Sequence, residues 1–161
     1  MKTAYLSLGS NVGDRADYLR RAIEMLNGSG VEVLRTSSVY ETEPMEMREQ
    51  NWFLNMALEC RTDLFPLQLL RRLKKIETAL GRKRIVPKGP RTIDIDIILY
   101  GHAIVKMPVL EIPHASFRER RFVLAPLAEL AAELRDPVTK RTIGELLANT
   151  AGQNVRRANI D

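Results

Sequence analysis

Residues 89–101 read GPRTIDIDIILYG. Within them, Ile93-Asp94-Ile95-Asp96-Ile97 alternates apolar and acidic side chains with a period of two. That is the period of a β-strand, whose successive side chains leave on opposite faces. Ile93, Ile95, Ile97 and Leu99 are therefore expected on a core-facing side, and Asp94 and Asp96, followed by Ile98, on the other. Two residues along a strand rise about 6.6 Å, a spacing at which two carboxylates can converge on one or two hard cations. Mg²⁺ prefers oxygen ligands and keeps waters and substrate phosphates in its shell. Paired metals about 3.5–4 Å apart recur in phosphoryl chemistry. An antiparallel strand with one solvated face would show the same alternation without any metal. Arg91 just upstream, the Gly89-Pro90 bend and the arginines at 82 and 84 favour a site.

Working outward, the chain reads as strands and helices in a definite order. A strand over Ala4–Leu8 ends at Gly9-Ser10-Asn11. A helix over Arg15–Leu26 follows, with Asp14 as N-cap, Leu19, Ala22, Ile23 and Leu26 at helical spacing, and Gly28-Ser29-Gly30 as its stop. Val31–Thr42 alternates as one long strand, and Phe53–Arg61 as the next. Pro66 opens a second helix at a first-turn position, with Leu69, Leu73, Ile76 and Leu80 on one stripe and Gly81 closing it. After the aspartate strand come an extended Ile104-Val105, short helices near Pro126–Glu133 and Ile143–Ala148, and a tail expected to fray beyond Thr150. Strand, helix, strand, strand, helix, strand is the βαββαβ order of ferredoxin-like α+β folds, a mostly antiparallel sheet with helices on one face. The other face is expected to stay open and to carry Asp94 and Asp96. Two polar connections, about 43–51 and 83–90, are long enough to act as lids.

A chain of 161 residues suits one domain over 1–161, and 45% hydrophobic with 28% charged residues suits a soluble globular protein. No apolar run approaches the ~20 residues of a bilayer span. The N-terminal MKTAYLSLGSN is too short and too polar for a secretory signal, so a cytoplasmic location is expected. The single cysteine, Cys60 in the apolar run NMALEC, excludes an internal disulfide and reads as a buried thiol. A net charge of +5 and a pI near 9.6 fit nucleic acid or a small polyanion. The basic residues cluster at 71–75, which reads as a solvated helix face, at 82–91 and at 118–121. Beside paired carboxylates they point to a phosphate-rich ligand with its metal. An RNA-recognition module would share the strand order. It would need stacking aromatics in a K/R-G-F/Y-G/A-F-V-x-F/Y pattern on the open face, and the chain lacks that pattern and places aspartates there instead.

The segments AYLSLGSNVGDR (4–15), SSVYETEP (37–44), FLNMALE (53–59), IETALGRKR (76–84), GPRTIDIDIILYG (89–101) and IPHASFRERRFVLAPL (112–127) occur in an order that resembles the 6-hydroxymethyl-7,8-dihydropterin pyrophosphokinase family. The resemblance runs from the start of the chain to about residue 134. It implies a ferredoxin-like fold and transfer of diphosphate from ATP to the hydroxymethyl group of a reduced pterin, releasing AMP, in folate biosynthesis. It implies that Asp94 and Asp96 hold two Mg²⁺ ions and that Arg82, Arg84 and Arg91 surround the ATP phosphates, Arg82 and Arg91 being catalytic with the two aspartates. Glu77, Ile97, His114 and Arg120 complete the implied ATP site. Guanidinium groups suit this task because they grip phosphate oxygens bidentately, and the chain has no GxxxxGK[ST] loop to do it instead. For the pterin, the resemblance implies a flat slot between Phe53 and Phe122, with Asn55 reading the ring edge and Thr42, Pro44 and Met45 lining the rest. The implied partners are the two small substrates, with no nucleic acid and no membrane, and the expected state is a monomer. The chain departs from the family pattern at Pro87-Lys88, at Ala115 and in having Phe rather than Tyr at 53. Another Mg²⁺-nucleotide transferase acting on a small alcohol remains the alternative.

Overall fold

Two runs of β-forming residues build the centre of the sheet. In the computed structural model, which describes residues 1–42, 52–81 and 92–159, β1 (Lys2–Ser10) and β4 (Phe53–Thr62) pair antiparallel from Lys2 opposite Thr62 to Ser10 opposite Leu54. Between them lie α1 (Arg15–Asn27), β2 (Val31–Thr36) and β3 (Tyr40–Thr42); α2 (Pro66–Ala79) and β5 (Asp94–Tyr100) follow. Asp14 caps α1 as expected, its carboxylate accepting from the Asp17 N–H at 3.1 Å. Pro66 sits in the first turn of α2. The strands run β5-β1-β4-β3-β8 across the sheet, β8 being Val155–Arg157, and β2 also pairs with β4. This is the ferredoxin-like βαββαβ order. Leu19, Ala22 and Leu26 of α1 and Leu69, Leu73 and Ile76 of α2 bury against Leu6, Leu8, Leu54, Leu58, Ile93, Ile95 and Ile97. Each such side chain contributes on the order of 1.5–3 kcal/mol.

Five details differ from the sequence-based expectations. The long strand over Val31–Thr42 is broken at Ser37–Val39. There Ser37 bonds Ala57 with both backbone and hydroxyl: its N–H donates to the Ala57 carbonyl at 2.9 Å and its Oγ accepts from the Ala57 N–H at 2.8 Å. A side chain thus stands in for one rung, and β2 and β3 meet β4 on either side of it. Leu99 does not face α1 and α2. Tyr5 pairs with Leu99 but Leu6 pairs with Ile97, so Ile98 is an extra residue on β5. Such a bulge reverses the alternation beyond it. Leu99 consequently joins Ile98 on the far face, and Tyr100 takes the core-facing place.

The far face is not open along its length either. α3 (Arg121–Ala131) and α4 (Ile143–Ala148) cover Ala57, Ile98 and Leu99 with Val123, Leu124, Leu127, Ile143 and Leu146, joined by Phe117 from the turn before α3. α3 begins five residues before the expected Pro126, which lies inside it; a proline in a helix has no N–H for the carbonyl four residues back, and so reads as a start. Finally, within the tail expected to fray, Val155–Arg157 pairs antiparallel with Tyr40–Thr42 as β8. A separate hairpin, β6 (Val105–Met107) with β7 (Leu110–Ile112), leads to a cis Ile112–Pro113 bond and a 3₁₀ turn at Phe117–Glu119. Cys60 is buried as expected, and burial, then Glu59, pushes its thiol up to about 12.

Candidate active site

The end of the far face beyond Ala57 and Ile98 belongs to three neighbouring strands, and their register decides what meets there. Gly9 of β1 is opposite Asn55 on β4 and opposite Asp94 on β5. Directly opposite residues send their side chains to the same face. Asn55, Gly9 and Asp94 therefore form one row, and Ala57, Ser7 and Asp96 form the next, two residues along. Strands lie about 4.8 Å apart, which puts the Asn55 and Asp94 backbones roughly 10 Å from each other. The middle place of the first row has no side chain. A Cβ built on Gly9 would stand 3.0 Å from Asn55 Oδ1 and 3.7 Å from Phe53 Cδ1, so the glycine lets the Asn55 amide and the edge of the Phe53 ring lie against β1.

At the β4 end of the row, Asn55 is buried and its Nδ2 donates to Thr42 Oγ1 at 2.9 Å. Thr42 is itself buried and sits opposite Phe53. This bond fixes the rotamer of an amide whose remaining donor and acceptor capacity suits a heterocycle edge. Phe53, Asn55 and Thr42 are thus brought together. Phe122 lies in the first turn of α3, half-buried against the second apolar cluster, with the Arg120 guanidinium 5.7 Å from its ring centre.

At the β5 end, Asp94 and Asp96 share the face away from α1 and α2, as the alternation requires, and both are half-buried. Glu77 is not on the surface. It is 3% exposed on α2, and its Oε2 accepts from the Ile95 N–H at 2.8 Å. β5 is an edge strand, so that N–H points away from β1 and Glu77 satisfies it. Lys74 Nζ lies 3.5 Å from the other Glu77 oxygen. Burial first, then Asp94 and Glu77, push the Asp96 carboxyl up to about 7, against the opposing pull of Lys74 and Arg120. Among the described residues, Asp94, Asp96 and Glu77 thus share this end of the site with Lys74 and Arg120.

Ile97 packs its side chain into the core beside α1 and α2. It can meet a nucleotide only through its backbone, which lies on the edge strand two residues beyond Ile95. His114 lies across from the bulge, donating its N–H to the Ile98 carbonyl at 3.0 Å. Its Nδ1 accepts from the Ser116 N–H at 3.2 Å. Burial, then Arg120, lower its pKa. A neutral imidazole that accepts at Nδ1 carries its proton on Nε2. Arg118, between His114 and Arg120, pairs with the fully buried Asp136, Nη2 to Oδ1 at 3.0 Å; this clamps the turn that presents both residues. Arg82, Arg84, Arg91, Pro44 and Met45, and the two connections expected to act as lids, lie outside the described residues.

A family model described as 7,8-dihydro-6-hydroxymethylpterin-pyrophosphokinase matches residues 5–132. The chain belongs to this family. It is 46% identical over 137 residues to the 2-amino-4-hydroxy-6-hydroxymethyldihydropteridine pyrophosphokinase of Bacillus subtilis, covering 84% of this chain and 82% of that one. It is 44% identical over 158 residues to the protein of the same name from Methylorubrum extorquens, covering 98% and 99%. The folic acid synthesis protein fol1 of Schizosaccharomyces pombe is 42% identical over 96% of this chain, which spans only 21% of that protein. The Plasmodium falciparum HPPK-DHPS structure with pteroate shares the fold, with a TM-score of 0.76 at 18% identity over 94% of this chain and 42% of that one.

Of the residues that line these rows or touch Glu77, the sequence reading did not single out Gly9, Ser7 and Lys74. Gly9 read as the turn after a strand that extends two residues further than expected, to Ser10. Lys74 read as part of a solvated helix face, and its side chain is indeed 58% exposed, yet its ammonium reaches Glu77.

Proposed function

We propose that the chain transfers a diphosphate group from ATP to the hydroxymethyl oxygen of 6-hydroxymethyl-7,8-dihydropterin, releasing AMP, as a step in folate biosynthesis. The observation that carries this reading is the Asn55–Gly9–Asp94 row. It supports the reading because Asn55, whose amide suits a heteroaromatic edge, and Asp94, whose carboxylate suits a phosphate-bound cation, stand on either side of Gly9.

The alcohol oxygen attacks the β-phosphorus of ATP. The new C–O–P linkage forms as the bond from that phosphorus to the oxygen bridging the α-phosphate breaks, AMP departs, and the hydroxyl proton is lost to solvent or phosphate. Asn55 and Thr42 orient the ring, with Phe53 against it and Phe122 covering the other face. The Arg120 guanidinium and the Nε2–H of the neutral His114 donate hydrogen bonds to phosphate oxygens, joined in this reading by the positive charges of Arg82, Arg84 and Arg91. Glu77 acts indirectly, holding the edge of β5 so that Asp94 and Asp96 keep their separation. No covalent nucleophile is needed, and positioning of the reactants supplies much of the rate.

Asp94 and Asp96 would hold Mg²⁺, two ions in this reading. Among the described residues no group of three or more His, Cys, Asp and Glu could hold a metal ion. Two carboxylates completed by substrate oxygens and waters are the donor set Mg²⁺ accepts, and burial with Asp94 and Glu77 beside it raises the Asp96 carboxyl, a charge repulsion that a bound cation would relieve. When bound, the metal offsets the charge that develops on the phosphoryl oxygens. The same reading makes residues 1–161 one catalytic domain, monomeric and cytoplasmic. AMP release, followed with and without the pterin alcohol, tests it: release that needs both substrates supports the transferase, and release indifferent to the pterin refutes it.

A further inference from the structure

The C-terminal strand, expected to fray, is tied to the pterin half of the site. Thr42 lies between two strands, opposite Phe53 on β4 and opposite Val155 on β8. β3 is only Tyr40–Thr42, and Ser37–Val39 before it is irregular. Without β8 this short strand would be an edge, the place where strands are least well held. Behind the sheet a ring of contacts closes. Arg156 on β8 donates from Nε and Nη2 to Glu41 Oε2 at 3.1 and 2.9 Å. Its guanidinium carbon stands 4.4 Å from the centre of the Trp52 ring. Arg15, at the start of α1, donates to the Trp52 carbonyl at 2.7 Å and reaches Glu41 at 4.0 Å. Thr42 and Trp52, the described residues flanking 43–51, are thus tied directly or through Glu41 to one exposed arginine. The metal-binding strand β5 is at the opposite edge of the sheet.

We propose that β8, acting through Arg156, is a positioning element for the pterin slot: it sets the Thr42–Asn55–Phe53 arrangement and leaves the nucleotide and metal half untouched. The proposal rests on the pterin-slot reading above. Arg156 touches no substrate in this scheme. Its side chain is 66% exposed, so its removal does not open the core.

The test is titration calorimetry on wild type, Arg156→Ala, Arg156→Lys, Asn55→Ala and a chain ending at Thr150. Each is titrated with Mg²⁺ and a non-hydrolysable ATP analogue, and then with 6-hydroxymethyl-7,8-dihydropterin at saturating analogue. Losing a stacked cation and a partly exposed ion pair should raise the pterin Kd of Arg156→Ala about fivefold and leave analogue affinity unchanged. Arg156→Lys should recover part of the loss, since lysine keeps the charge but not the planar guanidinium. The shortened chain should lose more, with the same selectivity; if it fails to fold, Arg156→Ala decides. Equal weakening of both ligands, or unchanged pterin affinity in Arg156→Ala, overturns the proposal. If Asn55→Ala binds the pterin normally, the slot reading itself is wrong and the proposal falls with it.

Discussion

Asp96→Asn should make the metal-free protein more stable while destroying its activity. Asp96 sits in a half-buried place with Asp94 and Glu77 as neighbours, and its carboxyl is raised from the ordinary 3.8 to about 7. Between those values the folded chain holds a proton that the unfolded chain has released. Stability therefore falls as pH rises through that window and stays low above it. Carried in full, the rise costs roughly 4 kcal/mol at pH 8. The neighbouring carboxylates share that cost, so about 2 kcal/mol is expected from replacing Asp96 alone. For a chain of this size each kcal/mol moves Tm by about 2–4 °C. Thermal unfolding at pH 5 and pH 8, in chelator and in excess Mg²⁺, reads the effect. Asp96→Asn should melt about 4–8 °C above wild type at pH 8 in chelator, with a smaller difference at pH 5. Mg²⁺ should raise the wild-type Tm, because a ligand bound at a hundred times its Kd adds about 2.7 kcal/mol, and should raise the variant little. Turnover should fall at least a hundredfold, which is about 3 kcal/mol of barrier. A variant that melts at or below wild type at pH 8 in chelator, or that responds to Mg²⁺ as wild type does, would refute the electrostatic reasoning.

Gly9→Ala should weaken pterin binding about tenfold or more with little effect on the ATP analogue, because the new methyl group displaces the Asn55 amide and a misplaced buried partner costs roughly 1–3 kcal/mol; calorimetry with each ligand checks it. Glu77→Ala should lower stability by about 1–3 kcal/mol by stranding the buried Ile95 N–H, measured by urea unfolding, and should lower kcat as β5 shifts. Asp136 is held down at about 2, against desolvation, by Arg118, Thr139 and the Val138 N–H. Its stabilisation is complete above the ordinary carboxyl value and is lost as pH falls from about 4 to 2, so Asp136→Asn should cost about 2 kcal/mol at pH 7 and almost nothing at pH 2; melting curves across that range check it.

The aspartate strand was legible because alternation is a local property, and Asp94 and Asp96 do share the face away from α1 and α2. The reading failed one residue later, at Leu99, because a bulge depends on the partner strand: nothing within residues 93–100 says that Ile98 lacks a residue opposite it on β1. Glu77 was legible as a position but not as a buried one. Its place at the margin of the apolar stripe of α2 also fits a solvent-facing side chain, and only its bond to the Ile95 N–H shows why it is enclosed. Gly9 carries no chemistry of its own, so its role appears only when β1 is laid between β4 and β5. The tail looked frayed because Val155–Arg157 is short and polar. Its strand character comes from Tyr40–Thr42 across the ladder and from the Arg156–Glu41 pair, which are more than a hundred residues away in sequence.

The most direct measurement is phosphorus NMR of a complete reaction containing protein, Mg²⁺, ATP and 6-hydroxymethyl-7,8-dihydropterin. Attack at the β-phosphorus should yield AMP and a pterin bearing a two-phosphorus diphosphate, in equal amounts, with no ADP. A pterin monophosphate accompanied by ADP would contradict that assignment, as would ATP left unchanged in the presence of both substrates and metal.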